Sequence, residues 1–222
     1  MTVITVDGPA GAGKSTVAKM LAKKLGFAFM DTGAMYRALT LKAMRHQVKL
    51  DDENALVALA HKTHIDLVNV PGKPLQVLLD GEDVSEAIRS LDVTNNTFYI
   101  ARAPGVRGVM VEWQRQLGAR RPMVGDGRDL GTVVFPKADF KFYLDADFKV
   151  RCQRRIDELK AKGQAVDEAA LEKDLAERDH ADLTRKVGPL KKADDAIIID
   201  STNMTIDQVV EFLVEHVQRA RG

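Results

Sequence analysis

The chain has 222 residues, enough for one substantial domain, or one domain with an insertion, at about 100–200 residues per domain. Thirty-three Lys plus Arg stand against thirty-two Asp plus Glu, a formal net charge of +1; that balance argues against a polybasic nucleic-acid arm or an acidic tail and leaves room for a local basic pocket. Met1 leads straight into VITVDG with no basic n-region, no apolar run reaches about 18 residues, and the single cysteine, Cys152, has no intrachain partner, so neither secretion nor a membrane span is expected and a reducing, cytoplasmic setting is.

Val3–Val6 is a β-branched run that stops at Asp7-Gly8, which predicts a buried strand. Val17, Met20, Leu21 and Leu25 then follow helical spacing, with Gly26 as the stop. Phe27–Met30 reads as a second strand, about Gly33 to Met44 as a helix, and Asp52–His64 as another. The texture then changes. Ile65–Val70 alternates, Pro71-Gly72-Lys73-Pro74 turns, Leu75–Leu79 is apolar, and Asp80-Gly81 turns again. Short strands joined by tight turns predict an antiparallel unit at about 64–84, part of an insertion.

Pro104 suits the first position of a helix, whose stripe is Val106, Val109, Met110, Trp113 and Leu117. Strand-like runs recur at Met123–Gly125, Phe140–Leu144 and Ala196–Asp200, with Arg-rich polar helices over about 147–161 and 167–181. Thr205-x-x-Gln208 is a capping box opening the last helix. Strands alternating with helices predict an α/β fold with a parallel sheet.

Gly8-Pro9-Ala10-Gly11-Ala12-Gly13-Lys14-Ser15 fits GxxxxGK[ST] between a predicted strand and a predicted helix, the context that gives this pattern its meaning. Backbone N–H groups of such a turn converge on phosphate oxygens, and the helix N-terminus adds partial positive charge. Lys14 then serves the β- and γ-phosphates, and a hydroxyl from Ser15 or the next residue, Thr16, serves Mg²⁺. A nucleoside triphosphate site by itself leaves switches, motors and small-molecule kinases open.

Asp31-Thr32-Gly33-Ala34-Met35-Tyr36-Arg37 begins a helix with Thr32 as the expected N-cap, and Thr32 with Arg37 makes an anion site suited to a monophosphate. Gly125-Asp126-Gly127-Arg128-Asp129 follows an apolar strand, where ligands gather in parallel sheets. There Asp126 can hold Mg²⁺ through water and Arg128 can bind phosphate. Arg178, Asp179, Asp182 and Arg185 can share one helix face; Arg151, Arg154 and Arg155 read either as an exposed face or as a basic flap. His46, His61, His64, His180 and His216 are scattered and fit surface roles.

In their order along nearly the whole chain, DGPAGAGKS, DTGAMYRALTL, LDGEDVSEAIR, GDGRDLGTVVFPKAD, KFYLDAD, RD…D..R and IDSTNMT resemble bacterial-type cytidylate kinase, of the nucleoside monophosphate kinase group. The resemblance implies a P-loop kinase-like parallel five-stranded sheet flanked by helices, a small antiparallel β insert and a helical lid. It places a core at 1–63 and 105–222, the lid at about 151–163, and a monophosphate-binding insert at 64–104. It implies ATP as donor, CMP or dCMP as acceptor, Mg²⁺ as cofactor, a monomer, and small-molecule nucleotides as partners.

By family role, the P-loop residues Gly8 through Thr16 with Arg151, Arg154 and Arg155 would hold ATP. Thr32, Arg37 and Arg128 would hold the CMP phosphate, with Tyr36 nearby, and Arg107 and Asp129 would face the cytosine edge. Arg178, Asp182 and Arg185 would hold sugar and phosphates, while Lys14, Arg128, Arg178 and Arg185 surround the developing charge. The family often sets a serine against cytosine in the helix before Pro104; counted from Arg107, Phe98 falls at that position, with Thr97 adjacent. A kinase for UMP, AMP or shikimate is the nearest rival. A GTPase-like module would carry NKxD, which this chain lacks, and no basic stripe with interleaved aromatics favours nucleic acid.

Overall fold

The computed structural model describes residues 1–70, 72–161 and 163–220. The chain first forms β1 (Val3–Asp7), α1 (Lys14–Leu25), β2 (Ala28–Asp31), α2 (Thr32–Arg45) and α3 (Glu53–His61). Next come β3 (Ile65–Val68), β4 (Gln76–Leu79), β5 (Glu82–Asp83), α4 (Leu91–Arg102) and α5 (Pro104–Gly118). The last third holds β6 (Met123–Gly127), β7 (Phe140–Asp145), α6 (Phe148–Ala161), α7 (Glu168–Thr184), β8 (Ile197–Asp200) and α8 (Ile206–Arg219).

Five strands pair in the order β2-β6-β1-β7-β8, every pair parallel. Successive residues of a strand face opposite sides, and the core divides accordingly. Phe29, Val124, Ile4 and Val6 pack on one side with Val17 and Leu21 of α1 and Val210, Leu213 and Val217 of α8. Met30 and Met123 belong to the other side, with Met35, Leu39, Leu56, Ile100, Val106 and Met110. Helices thus cover both faces, as a buried parallel sheet requires. The predicted capping box forms: Thr205 Oγ1 accepts from Gln208 N–H at 3.2 Å, and Gln208 Oε1 accepts from Thr205 N–H at 2.8 Å.

The second sheet is antiparallel, β3-β4-β5. Its inward residues Ile65, Leu67, Val77 and Leu79 join the same apolar cluster as Met35 and Leu39. Asp80 and Gly81, with φ of 50° and 89°, make the tight turn into β5. The buried Lys42 amine holds that turn through Asp80 Oδ2 at 2.7 Å and also donates to the Lys62 carbonyl at 2.9 Å. Of the turn predicted at 71–74, Pro71 lies outside the described residues; Gly72 has φ 77° and Lys73 N–H donates to the Val70 carbonyl at 3.0 Å.

Two boundaries differ from the sequence reading. Helix α3 stops at His61, because Lys62 and Thr63 close its last turn and His64 N–H is drawn to Asp80 Oδ1 at 2.8 Å. Strand β3 stops at Val68, because Asn69 turns its amide onto β2: Oδ1 accepts from Phe29 N–H at 2.9 Å and Nδ2 donates to the Phe29 carbonyl at 3.1 Å. That side chain supplies the hydrogen bonds a further strand would have supplied.

Candidate active site

The carboxyl ends of β1, β2 and β6 lie in register, Asp31 beside Asp126 and Asp7 beside Gly127. Ligands collect at this end of a parallel sheet. Beyond it lies a cleft of about 880 Å³. Among the described residues it is lined by nine cationic side chains (Lys14, Arg37, Arg89, Arg107, Arg128, Arg154, Arg155, Arg178, Arg185) and six carboxylates. The near-neutral chain therefore concentrates positive charge in one place.

The P-loop can be read physically at Gly8, whose φ is 149° and where an added Cβ would strike the Leu144 carbonyl of β7. Lys14, at the start of α1, is buried and donates to the Pro9 carbonyl at 2.6 Å. Burial, then the neighbouring Arg128 charge, holds its amine well below the usual lysine range. Ser15 Oγ donates to Asp126 Oδ2. Burial and the charge of Asp31 push the Asp126 carboxyl up to about 7.

Thr32 is not the N-cap. Asp31 is, accepting from Ala34 N–H at 2.7 Å, because its longer reach from the end of β2 places a carboxylate over the helix start. Thr32 begins the helix proper and donates to the Asp126 carbonyl at 2.7 Å. Arg37, on the next turn, sits 3.4 Å from Asp31.

Asp129 and Arg107 form a buried ion pair. Arg107 also donates to the Ala101 carbonyl at 3.3 Å and stands 5.7 Å from the Tyr36 ring centre. Burial raises the Tyr36 phenol to about 12. Arg128 Nε donates to Asp182 Oδ2 at 2.7 Å, while Arg185 reaches Asp182 and Asp129, each at 3.5 Å. Arg178 has no carboxylate within ion-pair distance among the described residues. Surrounding protein, then Arg128, lowers its guanidinium to about 10. Four buried side-chain polar atoms lack a hydrogen-bond partner among the described residues. Three of them, Arg107 Nε, Asp126 Oδ1 and Arg185 Nη2, belong to this cleft, which marks a site built for polar ligands.

Gly188 lies against this pair. Its φ is 58°, and a Cβ there would run into Asp129 and Arg107. Gly188→Ala is expected to lower Tm by roughly 5 °C, from backbone strain of about 1–3 kcal/mol. Differential scanning calorimetry checks this; an unchanged melt would mean the loop does not press on the pair.

Arg154 and Arg155 line the cleft as expected, Arg154 braced on Ser201 at 2.6 and 3.1 Å. Arg151 corrects the expectation of a flap residue. It is buried behind the P-loop, where its guanidinium is committed to the Ala10 and Ala146 carbonyls and to Asp179. Asp179 likewise faces the P-loop, so the charges at 178–185 divide between two faces, and Arg185 sits just past the end of α7. Thr97, not Phe98, lines the cleft, in phase with Thr94 and Ala101. Phe98 points outward under Arg102, 4.9 Å from its guanidinium carbon.

Sequence reasoning missed Arg89 and Thr94 at one end of the cleft and Met204, Thr205 and Ile206 at the other. For the latter group the motif IDSTNMT was a signal without an assigned role. It also missed Asp7, whose buried carboxylate accepts from Leu130 N–H at 2.9 Å and Gly131 N–H at 2.7 Å and so holds the turn after Asp129.

Residues 4–219 match the family model described as cytidylate kinase. A cytidylate kinase of Desulforamulus reducens is 49% identical over 218 residues, covering 98% of this chain and 97% of that one. Another, of a Geobacillus species, is 48% identical over 219 residues, with 99% and 97% covered. One from Listeria monocytogenes is 48% identical over 206 residues, with 93% and 91% covered. Among solved structures, an uncharacterized protein of Eubacterium ventriosum aligns with TM-score 0.52 at 12% identity over 98% of each chain. A gluconokinase of Sinorhizobium meliloti aligns at 0.50 and 15%, over 99% of this chain and 93% of that one. These two likenesses concern the fold alone.

Proposed function

The chain belongs to the cytidylate kinase family, and we propose that its cleft transfers the γ-phosphoryl group of ATP to CMP or dCMP, releasing ADP and CDP or dCDP. One observation carries this reading: a single cleft joins the P-loop to the buried Arg107–Asp129 pair. The cradle Gly8–Thr16 takes the donor phosphates, with Arg154 and Arg155 beside it. Thr32, Arg37 and Arg128 take the acceptor phosphate. Tyr36, Arg107 and Asp129 form the base end, and Arg178, Asp182 and Arg185 serve sugar and phosphates. In this reading residues 64–104 are the acceptor-binding insert on a core of 1–63 and 105–222. The expected lid, about 151–163, of which Lys162 lies outside the described residues, moves beyond Arg151, which stays anchored at its base.

A nucleoside monophosphate is largely ionised near neutral pH, with a second pKa of about 6. Its oxygen needs no strong general base, and no histidine lines the cleft among the described residues. As that oxygen bonds to the γ-phosphorus, the bond to the ADP oxygen breaks and its electron pair leaves with ADP. Negative charge spreads over the transferring group, so catalysis is positioning plus electrostatics. Lys14, Arg128, Arg178 and Arg185 supply it. Triphosphate oxygens against Lys14 favour its charged form, opposing the burial and the Arg128 charge that depress it.

Asp126 Oδ1 is buried without a hydrogen bond, and its Oδ2 already receives the Ser15 hydroxyl. Such a sparse oxygen set suits Mg²⁺, which takes one or two protein ligands and completes its shell with water and phosphate. Ser15 and Asp126 would hold it, with Ser15 favoured over Thr16 by that hydrogen bond. When bound, the ion neutralises phosphate charge.

Among the described residues no helix is long and apolar enough to cross a membrane, and Cys152 is free and buried. The reading is completed by a monomeric cytoplasmic enzyme, its cleft assembled from one chain. A coupled ADP-release assay across CMP, dCMP, UMP, AMP and shikimate tests it. CMP or dCMP should lead UMP by about 10³ in kcat/KM; a preference for AMP or shikimate sinks the reading.

A further inference from the structure

We propose that Arg151 and Asp179 form a latch through which α6 and α7 fix the P-loop at Ala10, making them positioning residues for the donor phosphates. Both polar groups of the Ala10 residue are held by these helices. Arg151 Nη1 donates to the Ala10 carbonyl at 2.8 Å, and Asp179 Oδ1 accepts from Ala10 N–H at 3.2 Å. The two side chains also bind each other, Arg151 Nη1 to Asp179 Oδ2 at 2.6 Å, while Arg151 Nε donates to the Ala146 carbonyl at 3.1 Å.

The surroundings make this contact dry and close. Arg151 is 7% exposed. Ala10 packs in a small apolar cluster with Cys152 of α6 and Leu175 of α7, bordered by Phe148. Next door, Gly11 (φ 77°) lies against the α6 backbone: a Cβ there would stand 3.0 Å from the Arg151 carbonyl oxygen. One buried guanidinium therefore bridges a P-loop carbonyl, the end of the β7 segment and a carboxylate on α7.

The consequence follows from helical spacing. Arg154 and Arg155 lie one turn beyond Arg151 and line the cleft. Arg178 is the neighbour of Asp179 on α7 and also lines it. Residues one turn apart share a helix face, and neighbours are rotated by roughly 100°. Fixing Arg151 and Asp179 against Ala10 thus ties the backbone cradle to the helices that carry the arginines over it. Among the described residues the latch makes no hydrogen bond to Thr32, Arg37, Arg107, Arg128 or Asp129 and reaches the acceptor side only through Arg178, the neighbour of Asp179, so the larger effect should fall on the donor.

This inference rests on the donor half of the proposed function, the binding of ATP by the P-loop, and not on the acceptor's identity. The test titrates full-length parent, Asp179→Asn, Arg151→Lys and the double variant with a fluorescent mant-ATP in Mg²⁺. Melting curves and KM values for ATP and CMP accompany the titration. Each single variant should weaken mant-ATP binding about tenfold and raise KM for ATP in step, with KM for CMP within about twofold. The double variant should be no more than about twofold worse than Asp179→Asn, since both substitutions break one element. Asp179→Glu should recover part of the loss. Should Asp179→Asn melt below the assay temperature, Arg151→Lys and Asp179→Glu carry the same comparison.

Donor affinity within twofold of the parent, whatever the melting temperature, overturns the proposal and leaves a purely structural pair. Equal losses for both substrates overturn it too. A parent that binds mant-ATP yet phosphorylates no cytidine nucleotide sinks the assigned acceptor while the latch is still judged by the titration.

Discussion

Lys14→Ala should lower kcat by about 10²–10³-fold, the loss typical when a group that stabilises transition-state charge is removed, while the far-UV circular dichroism stays that of the parent. Lys14 stands at the start of α1, its amine 2.6 Å from the Pro9 carbonyl and between the fields of Arg128, Asp126 and Arg178. No other lysine lines the cleft among the described residues. The arginines are held elsewhere, Arg128 by Asp182 and Arg185 by Asp182 and Asp129. None of them is placed to follow the P-loop backbone as Lys14 does.

The same substitution should not unfold the protein. The Lys14 amine in the fold titrates well below its ordinary 10.5. A lowered lysine pKa means that the charged form is disfavoured by folding. Its contribution turns unfavourable as pH falls through 10.5 and is already unfavourable at neutral pH. Removing the charge relieves that strain, whereas the lost bond to Pro9 costs only about 1 kcal/mol. Tm at pH 7 should therefore stay within a few degrees of the parent. Turnover within tenfold of the parent removes Lys14 from the mechanism.

What could be read from the chain beforehand follows a physical division. The P-loop, the parallel sheet, the capping box at Thr205 and the β-rich insert are local patterns, and each was legible because spacing, turn residues and β-branching act over a few residues. Thr32 and Asp31 compete for one cap, and the winner depends on where β2 delivers the chain. Arg151 looks like any exposed lid arginine until α7 brings Asp179 beside it, 28 positions away. Counting back from Arg107 gives a position along the chain and not the direction in which a helix faces it. Ala103 is extended, with φ −73° and ψ 112°, and separates α4 from α5; the phase of α4 itself, Thr94–Thr97–Ala101, brings Thr97 to the cleft while Phe98 turns outward. Helix facing and buried partnerships are tertiary facts, and those were the ones sequence could not supply.

Asp129 should read the base, and two substitutions separate that role from its structural one. Asp129→Ala should narrow the CMP-over-UMP ratio of kcat/KM by roughly 10²-fold, because cytosine's exocyclic amine loses a carboxylate acceptor. It also strands the Arg107 guanidinium, which is only 2% exposed. An uncompensated buried charge costs about 3–5 kcal/mol, so this variant should melt lower, and Asp129→Asn is the cleaner probe. Arg107 offers only donors and therefore takes the amide oxygen. The amide NH₂ then replaces Oδ1, which gives up its 3.5 Å pairing with Arg185; toward the base it donates to the uracil carbonyl and meets cytosine's amine donor to donor. Asp129→Asn should accordingly lower kcat/KM for CMP by about 10²-fold and raise it for UMP, narrowing or inverting the preference, with a smaller loss of Tm than the alanine variant. Steady-state kinetics on both nucleotides, beside a melting curve, distinguish the outcomes. An unchanged ratio in both variants would show that Asp129 serves only to hold Arg107, and that the base is read elsewhere along the Thr94–Thr97–Ala101 face of α4.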